Sequence, residues 1–230
     1  SRGQVLDRNG EPLAVSTPVE AVWANPPVLL EHAERIPELA QALGLDPVAL
    51  RERMAERAGN RREFDYLRRH LNPEQAARVL ALDIPGVNSL REFRRYYPAG
   101  EVMAHVLGYT NIDDQGQEGL ELAFDHWLAG KPGSQRVIRD RRGRVVENVE
   151  LVRPPEPGRD LVLSIDRRIQ YLAYRELTAT LLEHNASSGS MVILDVPTGE
   201  ILAMVNQPSY NNNARGAAEP SQRRNRAVTD

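Results

Sequence analysis

The sequence predicts an α+β chain in which β-hairpins alternate with helical segments. One observation is that apolar residues recur at helical spacing from Pro26 to about Ile84. The other is that three stretches have two strand-like runs around a Gly-containing turn. They are RGQVLDRNGEPLAV around Asn9-Gly10, RVIRDRRGRVVE around Arg142-Gly143, and MVILDVPTGEILAMV around Thr198-Gly199.

Composition narrows the classes of protein and site. At 230 residues the chain has room for one large domain or two or three small ones. A net charge of −3 gives no reason to expect a polyanion, so we expect no nucleic-acid partner. The absence of cysteine excludes disulfides, thiolate metal sites and a cysteine nucleophile. The sequence has no apolar run of roughly 18 residues that would predict a membrane span.

The first half of the chain has clear local signals. Asn9-Gly10 favours a type I′ hairpin turn, with positive φ at both residues. Asp46-Pro47 and Asn72-Pro73 have the pattern of helix starts, and Gln75 would complete a capping box with Asn72. The residues expected on one helical face are Leu29, Ile36, Leu39 and Leu43.

The second half is mixed. GLELAFDHWLAG predicts one helix ending at Gly130, and RPPEPG (Arg153 to Gly158) indicates a domain boundary. LVLSI (Leu161 to Ile165) predicts a strand, after which Asp166 caps a long helix. The side chains expected to face a core are Leu120, Phe124, Trp127 and Leu128 in the first helix, and Ile169, Leu172, Ala173 and Leu177 in the second.

Patterns for ligand sites fail one by one. Gly130-Lys131 lacks the phosphate-loop pattern, because Pro132 stands where Ser or Thr is needed. NIDDQGQEGLEL resembles a calcium loop, but its last position is Leu122 rather than Glu. The histidines never stand four residues apart, so we expect no zinc site, and His105 is expected to be a hydrogen-bonded core residue.

No complete catalytic set is found either. Gly-x-Ser-x-Gly is absent, and Ser-x-x-Lys is absent because Lys131, the only lysine, follows Leu128 by three residues. Ser-x-Asn occurs once, at Ser209 to Asn211, in a polar loop where so short a pattern arises by chance.

Several stretches together resemble one family, the class B penicillin-binding proteins. RGQVLDRNGEPLAVS resembles the family's first non-catalytic motif, and RRYYPAGEVMAHVLGYTNIDDQGQEGLELAFDHWLAGKPG resembles its second and third motifs run together. VLSIDRRIQYLAYREL and GSMVILDVPTGEILAMVNQPSYNNN resemble the start of its transpeptidase domain. LAVSTPVEAVWANP is more similar to the division-specific branch, penicillin-binding protein 3, than to the elongation branch.

The resemblance implies an elongated pedestal of hairpins over residues 1–25 and 85–150, with a helical insert over 26–84. A linker over 151–158 would lead to the first elements of a transpeptidase domain over 159–230. Because that sheet would be incomplete, one face of the third hairpin is expected to lack partners from this chain. The residues concerned are Met191, Ile193, Ile201, Ala203 and Val205.

The resemblance also implies an activity for the parent protein. It would be a peptidoglycan D,D-transpeptidase that cross-links stem peptides during septal cell-wall synthesis through a serine acyl-enzyme, and a target of β-lactams. The motif Glu-Pro-Gly-Ser-x-x-Lys would follow shortly after Asp230, so we expect no catalytic residue in these residues and no activity from them alone. No metal or organic cofactor is implied.

Partners and location follow from the same resemblance. The implied partners are peptidoglycan stem peptides and β-lactams, a polytopic glycan polymerase and other divisome membrane proteins. A single-pass anchor is expected upstream of Ser1, at the periplasmic face of the bacterial inner membrane.

The motif residues expected to have a structural or partner-binding role are Arg2, Gly3, Asp7, Arg8, Gly10, Arg95, Gly100, Gly116, Gly119 and Glu121. Buried arginine–carboxylate pairs drawn from Arg2, Asp7, Arg8, Arg95 and Glu121 would fix domain orientation; otherwise each is an ordinary turn or surface residue. The alternative function is a non-enzymatic periplasmic scaffold or interaction module of the cell-wall machinery. It is distinguished by whether the gene continues past Asp230 into Ser-x-x-Lys. A bifunctional class A enzyme is less favoured, because nothing here resembles a glycosyltransferase domain.

Overall fold

The computed structural model describes residues 1–139, 145–214, 216 and 218–230, and it confirms the α+β class. The strands are β1 Val5–Leu6, β2 Pro12–Ala24, β3 Asp65–Leu71, β4 Val87–Tyr96, β5 Ser134–Arg139, β6 Val145–Arg153, β7 Leu161–Val162, β8 Gly189–Leu194 and β9 Ile201–Gln207. The helices are α1 Pro26–Leu30, α2 Ile36–Leu43, α3 Pro47–Gly59, α4 Pro73–Leu80, α5 Ala104–Leu107, α6 Gly119–Ala123, α7 Asp125–Leu128, α8 Arg167–Glu183, α9 Pro220–Arg223 and α10 Arg226–Thr229. None of the helices in the described ranges is long and apolar enough to cross a membrane.

Contacts divide the chain into two compact units. Unit 1 contains Ser1–Thr17, Arg95–Lys131 and Glu156–Asp230. Unit 2 contains Pro18–Arg94 and Pro132–Pro155. The module boundaries drawn from the sequence stay a prediction beside this division by contacts.

The first hairpin of unit 1 has a different turn from the one expected. Val5 pairs with Ala14, and Gly10 has a positive φ of 85° while Asn9 does not, so the turn is not type I′. Gly10 N donates to Asp7 O at 3.0 Å, which closes a type I turn with Gly10 in the left-handed region after it. The cause is the Asp7 carboxylate, which accepts the backbone N–H of Asn9 at 2.8 Å and favours this turn.

The predicted strand at Leu161 is short and joins the first hairpin. β7 contains Leu161 and Val162, which run parallel to β1 and pair with Val5 and Leu6. The core of unit 1 is built around this pairing. Its buried residues are Val5, Leu13, Ala14, Tyr97, Met103, Ala104, Leu107, Tyr109, Leu128, Ile165 and Tyr210.

The third hairpin and helix α8 form as predicted. The apolar face of the hairpin is buried against α8, which was not expected. β8 and β9 are antiparallel around a turn in which Gly199 has a φ of 76°. On β9, Ala203 and Val205 are buried against Ala173 and Leu177 of α8. The expectation that this face lacks partners from the chain is therefore wrong for Met191, Ile193, Ala203 and Val205, because α8 supplies them; Ile201 is half-buried and lies outside this cluster.

The opposite face of the hairpin is the exposed one, as Val192 and Leu194 show by their 43% and 54% exposure. Within α8 the face prediction fails at one position. Leu172 is 48% exposed, whereas the polar Gln170 is fully buried. An apolar pattern cannot identify a glutamine that binds backbone groups.

Helix GLELAFDHWLAG is broken. α6 ends and α7 begins around Phe124, whose φ of −110° and ψ of 23° interrupt the helix. Leu128 is buried, but Phe124 and Trp127 are 38% and 40% exposed, so the single apolar face is not formed. Gly130 does not cap the helix either. A Cβ there would lie 2.7 Å from Ser1 O, so close backbone approach requires glycine.

Unit 2 has the predicted helical core, and it also contains β3 and most of β4, two strands that the sequence pattern did not indicate. Asp46 and Asn72 cap α3 and α4, and Gln75 completes the capping box. The expected helical face is buried, with Leu29, Ile36, Leu39 and Leu43 in one cluster.

Strand β3 lies inside the segment expected to be helical. β3 pairs antiparallel with β2, as in Trp23 with Tyr66. The rings of Trp23 and Tyr66 each lie 4.8 Å from that of Phe64. A strand held by cross-strand aromatic contacts does not need the period-two apolar alternation that sequence analysis looks for.

The second hairpin pairs β5 with β6 antiparallel, from Ser134 opposite Arg153 to Arg139 opposite Val145. Its predicted turn at Arg142-Gly143 lies outside the described residues. β6 continues to Arg153, so residues 151–153, expected in a linker, are strand.

A substitution at Gln170 tests the packing of α8 on β9. The Gln170 amide donates to Val102 O and Met204 O, and accepts from Met204 N, each at 2.8 Å. Gln170→Ala leaves these buried groups without partners and is expected to lower the free energy of unfolding by roughly 2–4 kcal/mol in urea denaturation. Leu172→Ala, at the exposed position, is the matched control, with an expected effect of about 0.5 kcal/mol. Equal losses for the two variants would contradict this packing.

Candidate functional site

A buried charge cluster lies in unit 1 around the carboxylate of Glu121. Arg2 Nε donates to Glu121 Oε2 at 2.6 Å, and Arg95 Nε donates to Glu121 Oε1 at 2.6 Å. The side chains of Arg2 and Arg95 are 1% exposed and that of Glu121 is fully buried. One carboxylate thus joins the N-terminal segment, the end of β4 and helix α6.

Further bonds fix both guanidinium groups. Arg2 donates to Asp125 Oδ1 at 2.7 Å, to Glu121 O at 2.7 Å and to Asp114 O at 3.1 Å. Arg95 Nη1 donates to Gly3 O at 2.7 Å and to Ser16 Oγ at 3.2 Å. Each guanidinium therefore binds backbone as well as carboxylate, and this geometry holds the three chain segments in register.

The surroundings of the cluster shift the pKa values of Arg2, Asp125 and Asp114 in different directions. Burial alone would lower the pKa of Arg2, but Glu121 and Asp125 outweigh it and raise that pKa. Burial opposes ionisation of Asp125 too, yet the N–H of Gly116 and the Arg2 guanidinium lower its pKa. Burial raises the pKa of Asp114 to about 6, against the opposing charges of Arg2 and Arg95.

Two of the expected glycines are required by close backbone contacts at this cluster. A Cβ on Gly116 would lie 1.9 Å from Glu121 O, and a Cβ on Gly3 would lie 2.0 Å from Arg159 O. Gly116 N also donates to Asp125 Oδ1 at 2.8 Å. Neither approach leaves room for a side chain.

The other expected residues lie outside the cluster. Gly119, at the first position of α6, packs on the backbone of residues 106–108. Gly100 is in a 3-10 helix, and Gly10 is at the hairpin turn with no atom near its missing Cβ. Arg8 is exposed and lies 3.4 Å from Glu200 Oε2. Within the described ranges Asp7 forms no salt bridge with an arginine; it accepts backbone N–H groups and, at 3.4 Å, the side-chain amide of Asn9.

Asp7 is the centre of a second buried polar site. It is 1% exposed, and its Oδ1 accepts the backbone N–H of Asn9 at 2.8 Å and of Glu11 at 2.9 Å. Its Oδ2 accepts the N–H of Arg167, the first residue of α8, at 3.0 Å. Burial would raise the pKa of Asp7, but these N–H groups outweigh it and lower that pKa.

Asp166 stands beside Asp7 and caps the same helix. Its Oδ1 accepts Arg168 N at 2.9 Å, and its Oδ2 accepts the Arg168 guanidinium at 3.0 Å and Asn9 Nδ2 at 3.2 Å. The Arg168 side chain is the main reason that the pKa of Asp166 lies well below its usual range. The sequence identified Asp166 as a local cap, but not its bond to the first hairpin.

A cavity of about 730 Å³ opens beside these residues, with a lining of mixed charge. It is lined by Asp7, Asn9, Glu11, Pro98, Ala99, Val102, Arg167, Arg168 and Tyr171. Arg167 faces Glu11 at 3.6 Å, and Arg168 is paired with Asp166. In the described part of the chain no cluster of histidine, aspartate or glutamate could hold a metal ion.

The expected core histidine is confirmed. His105 is 8% exposed, and its Nε2 lies 2.7 Å from Gln222 O. Burial lowers the pKa of His105. It is thus a buried hydrogen-bonded residue of unit 1, packed edge-on to Tyr210 with ring centroids 5.4 Å apart.

Comparison with protein families shows which family the chain belongs to and which of its domains contain the two sites. The family model for the penicillin-binding protein dimerisation domain matches residues 1–163, and that for the penicillin-binding protein transpeptidase domain matches residues 189–230. The chain belongs to the penicillin-binding proteins. Both charge-bearing sites therefore lie in or beside the dimerisation domain of this family, and β8 and β9 lie in the transpeptidase match.

Curated penicillin-binding proteins resemble the chain along its whole length. It is 44% identical to a protein named "Probable peptidoglycan D,D-transpeptidase PbpC" from Pseudomonas aeruginosa. It is 45% identical to "Peptidoglycan D,D-transpeptidase FtsI" from Escherichia coli and 42% to "Probable peptidoglycan D,D-transpeptidase PenA" from Neisseria gonorrhoeae. Each match covers 100% of this chain, which spans about 40% of the length of these relatives.

A solved structure supports the fold. The peptidoglycan synthetase from Bifidobacterium adolescentis aligns with a TM-score of 0.59 over 96% of this chain and 44% of its own. At 21% identity this likeness concerns the fold of the penicillin-binding proteins alone.

Two side-chain amides bind backbone groups in a way that no sequence pattern indicates. Asn213 accepts from Tyr97 N and donates to Tyr97 O, both at 2.9 Å, so its amide occupies the place of a neighbouring strand. Gln170 does the same at Met204. The only signal is the run Asn211 to Asn213, which was interpreted as a polar loop.

Removing the Glu121 side chain is expected to destabilise unit 1 strongly. Glu121→Ala leaves two buried guanidinium groups without their shared carboxylate and should lower the free energy of unfolding by about 3–5 kcal/mol. Glu156→Ala is the matched control, since Glu156 pairs with Lys131 at 2.9 Å on the surface and should cost below about 1 kcal/mol. Urea denaturation measures both. A loss below about 1 kcal/mol for Glu121→Ala would show that the cluster is not structural.

Asp114 gives a prediction with a definite pH dependence. Its folded pKa lies above the ordinary value, so the wild type loses stability as pH rises from about 4 to about 6, and the loss is constant above that. Asp114→Asn removes this penalty, and Asn tolerates the positive φ of 62°. We expect the variant to be more stable by roughly 1–2 kcal/mol at pH 7.5 and equal to wild type near pH 4.

The control for Asp114→Asn is Asp113→Asn, which makes the same charge change at the exposed neighbouring position. Thermal denaturation between pH 4 and pH 8 compares the two. A gain for Asp114→Asn that does not depend on pH would contradict the titration of this half-buried carboxylate.

Proposed function

We propose that this chain supplies the non-catalytic module and the first transpeptidase elements of a peptidoglycan D,D-transpeptidase. The observation that carries the proposal is that the dimerisation and transpeptidase family models match successive parts of one chain. Relatives that match all 230 residues have this activity in their names, which supports the same conclusion.

The reaction would proceed by two acyl transfers. A serine attacks the carbonyl of the penultimate D-Ala of a stem peptide, the peptide bond breaks and the terminal D-Ala leaves as an amine. An amine of a neighbouring stem peptide then attacks the acyl-enzyme ester and releases the serine. Covalent catalysis replaces one difficult exchange with two easier acyl transfers. β-Lactams acylate the same serine, and no cofactor takes part.

In this proposal the Glu121 cluster maintains the shape of the module. The two arginines come from positions 2 and 95, so their shared carboxylate ties the N-terminal segment to the rest of unit 1. A membrane anchor before Ser1 would be attached directly to that segment. The module boundaries that we propose stay those drawn from the sequence, with the pedestal over 1–25 and 85–150.

The finer assignments are proposals as well. The stretch LAVSTPVEAVWANP and the 45% identity to FtsI support the division-specific branch and septal synthesis. The protein would then act at the periplasmic face of the inner membrane, beside a glycan polymerase and other divisome proteins.

A second candidate is a non-enzymatic scaffold of the cell-wall machinery. It is the alternative that the sequence leaves open, and the 230 residues fit either candidate because they contain no Ser-x-x-Lys. The two candidates share the module and its cluster, and they differ in whether the full gene product carries a reactive serine.

Labelling with a fluorescent penicillin separates the two functions. The full product of the gene that encodes this chain should be labelled stoichiometrically at one serine, identified by peptide mass spectrometry, and unlabelled β-lactam should block the label. Residues 1–230 expressed alone should stay unlabelled. Heat-denatured full-length protein, the second control, should also take no label. A folded full-length protein that takes no label would favour the scaffold instead.

A further inference from the structure

The Asp7 carboxylate makes two kinds of hydrogen bond, and together they join distant parts of the chain. Oδ1 binds the N–H groups of Asn9 and Glu11 and so shapes the hairpin turn. Oδ2 binds Arg167 N at 3.0 Å, across 160 residues of sequence. A turn of the first hairpin thereby supplies a cap for helix α8.

The first turn of α8 depends on such a group. The opening N–H groups of a helix have no intrahelical acceptor, and an anion there is favoured by the helix dipole. Asp166 Oδ1 satisfies Arg168 N, and Asp7 satisfies Arg167 N. Helix α8 therefore has one cap from its own sequence and one from the dimerisation segment.

Neighbouring bonds hold the entry to α8 from the same side. Arg8 N donates to Ile165 O at 3.0 Å, and Leu163 N donates to Leu6 O at 2.9 Å. Asn9 Nδ2 reaches Asp166 Oδ2 at 3.2 Å. The hairpin thus fixes the segment before α8 as well as its first residue.

Gln170 connects α8 to β9, which lies in the segment that matches the transpeptidase domain. This residue lies one turn after Arg167, and its buried amide binds both the N–H and the carbonyl of Met204 in the middle of β9. Asp166 N also donates to Leu202 O at 3.0 Å. A displacement of the first turn of α8 therefore moves the acceptors and donors that hold β9.

We infer that Asp7 is a positioning residue. Its carboxylate holds the first turn of α8, and through Gln170 it sets the position of β9 in the segment that matches the transpeptidase domain. The catalytic consequence rests on the proposed function: loosening this joint displaces β9 in the segment that matches the transpeptidase domain, and we expect acylation to slow as a result. The joint itself rests on geometry alone.

Hydrogen exchange on the full-length protein tests the joint. Asp7→Asn keeps the side chain's size but loses the charge and one acceptor oxygen. Exchange of the amides of residues 167–170 and of Met204 should rise roughly 10- to 100-fold, as expected for loss of a charge-assisted bond. The amides of α3 in unit 2 should not change.

Asp160→Asn is the matched control. Asp160 Oδ1 likewise accepts a distant backbone N–H, that of Gln4 at 2.7 Å, but it is exposed and does not contact α8. Its effect on residues 167–170 should stay below about twofold. Where Asp7→Asn fails to fold, Asn9→Ala carries the test. It removes the side-chain bonds to Asp166 Oδ2 and to Asp7 Oδ2 but keeps the Asp7 carboxylate, so it should act at the same amides more weakly.

Acylation by a fluorescent penicillin provides the catalytic measurement. Asp7→Asn should lower the acylation rate constant about tenfold or more while changing the dissociation constant of the initial complex by less than about threefold. A purely structural loss would instead lower the fraction of active protein and leave the rate constant of the remainder unchanged.

The outcomes separate the two claims. If wild-type full-length protein is not acylated, the proposed function fails, while the exchange data still decide the joint. If exchange at residues 167–170 and Met204 is unchanged in a folded Asp7→Asn protein, the inference is wrong. It is also wrong if exchange rises equally in α3, because Asp7 would then be a residue of general stability.

Discussion

Unit 1 depends on one buried interaction, the carboxylate of Glu121 held between two guanidinium groups. An unpaired charge in such a place would cost several kcal/mol, so residues 2, 95 and 121 must meet whenever this unit folds. Arginine suits the task better than lysine, because its fork binds carboxylate and backbone oxygens at once. The single lysine of the chain lies on the surface, in the pair of Lys131 with Glu156.

The glycines around the cluster follow from this pairing. Arg2 donates to the backbone oxygen of Glu121, and that same oxygen would lie 1.9 Å from a Cβ on Gly116. The backbone of Gly116 in turn holds Asp125, the second acidic partner of Arg2. The spacing of Gly116, Glu121 and Asp125 in the sequence is therefore the spacing that the Arg2 binding site requires.

What the sequence could predict depends on how local the cause is. The caps at Asp46, Asn72 and Asp166 act within a few residues, and the structure confirms all three. Strand β3 escaped prediction because its cause is pairing with β2, some forty residues away along the chain. The burial of Gln170 escaped for the same reason, since its partners Val102 and Met204 are 68 and 34 positions away along the chain.

The same distinction applies to the candidate sites. An arginine-carboxylate cluster was expected, but sequence alone could not say which of five candidates meet, because Arg2 and Glu121 are 119 positions apart. Asp7 was grouped with the arginine-binding carboxylates, whereas its partners are backbone amides. The short side chain of Asp7 keeps its carboxylate close to the backbone N–H groups of the turn, which satisfy the charge without an arginine.

The two buried carboxylates therefore differ in what they can transmit. Glu121 is enclosed by side chains of one unit and has both oxygens committed to guanidinium groups, so it resists displacement. Asp7 instead binds the backbone N–H at the start of a helix, so its partner belongs to a separate element of the fold. Because α8 is a continuous helix packed on β9, we expect a shift of its first turn to reach that strand as well. The first kind of contact fixes three chain segments around one carboxylate, and the second ties the turn of the first hairpin to the start of a helix in the same unit.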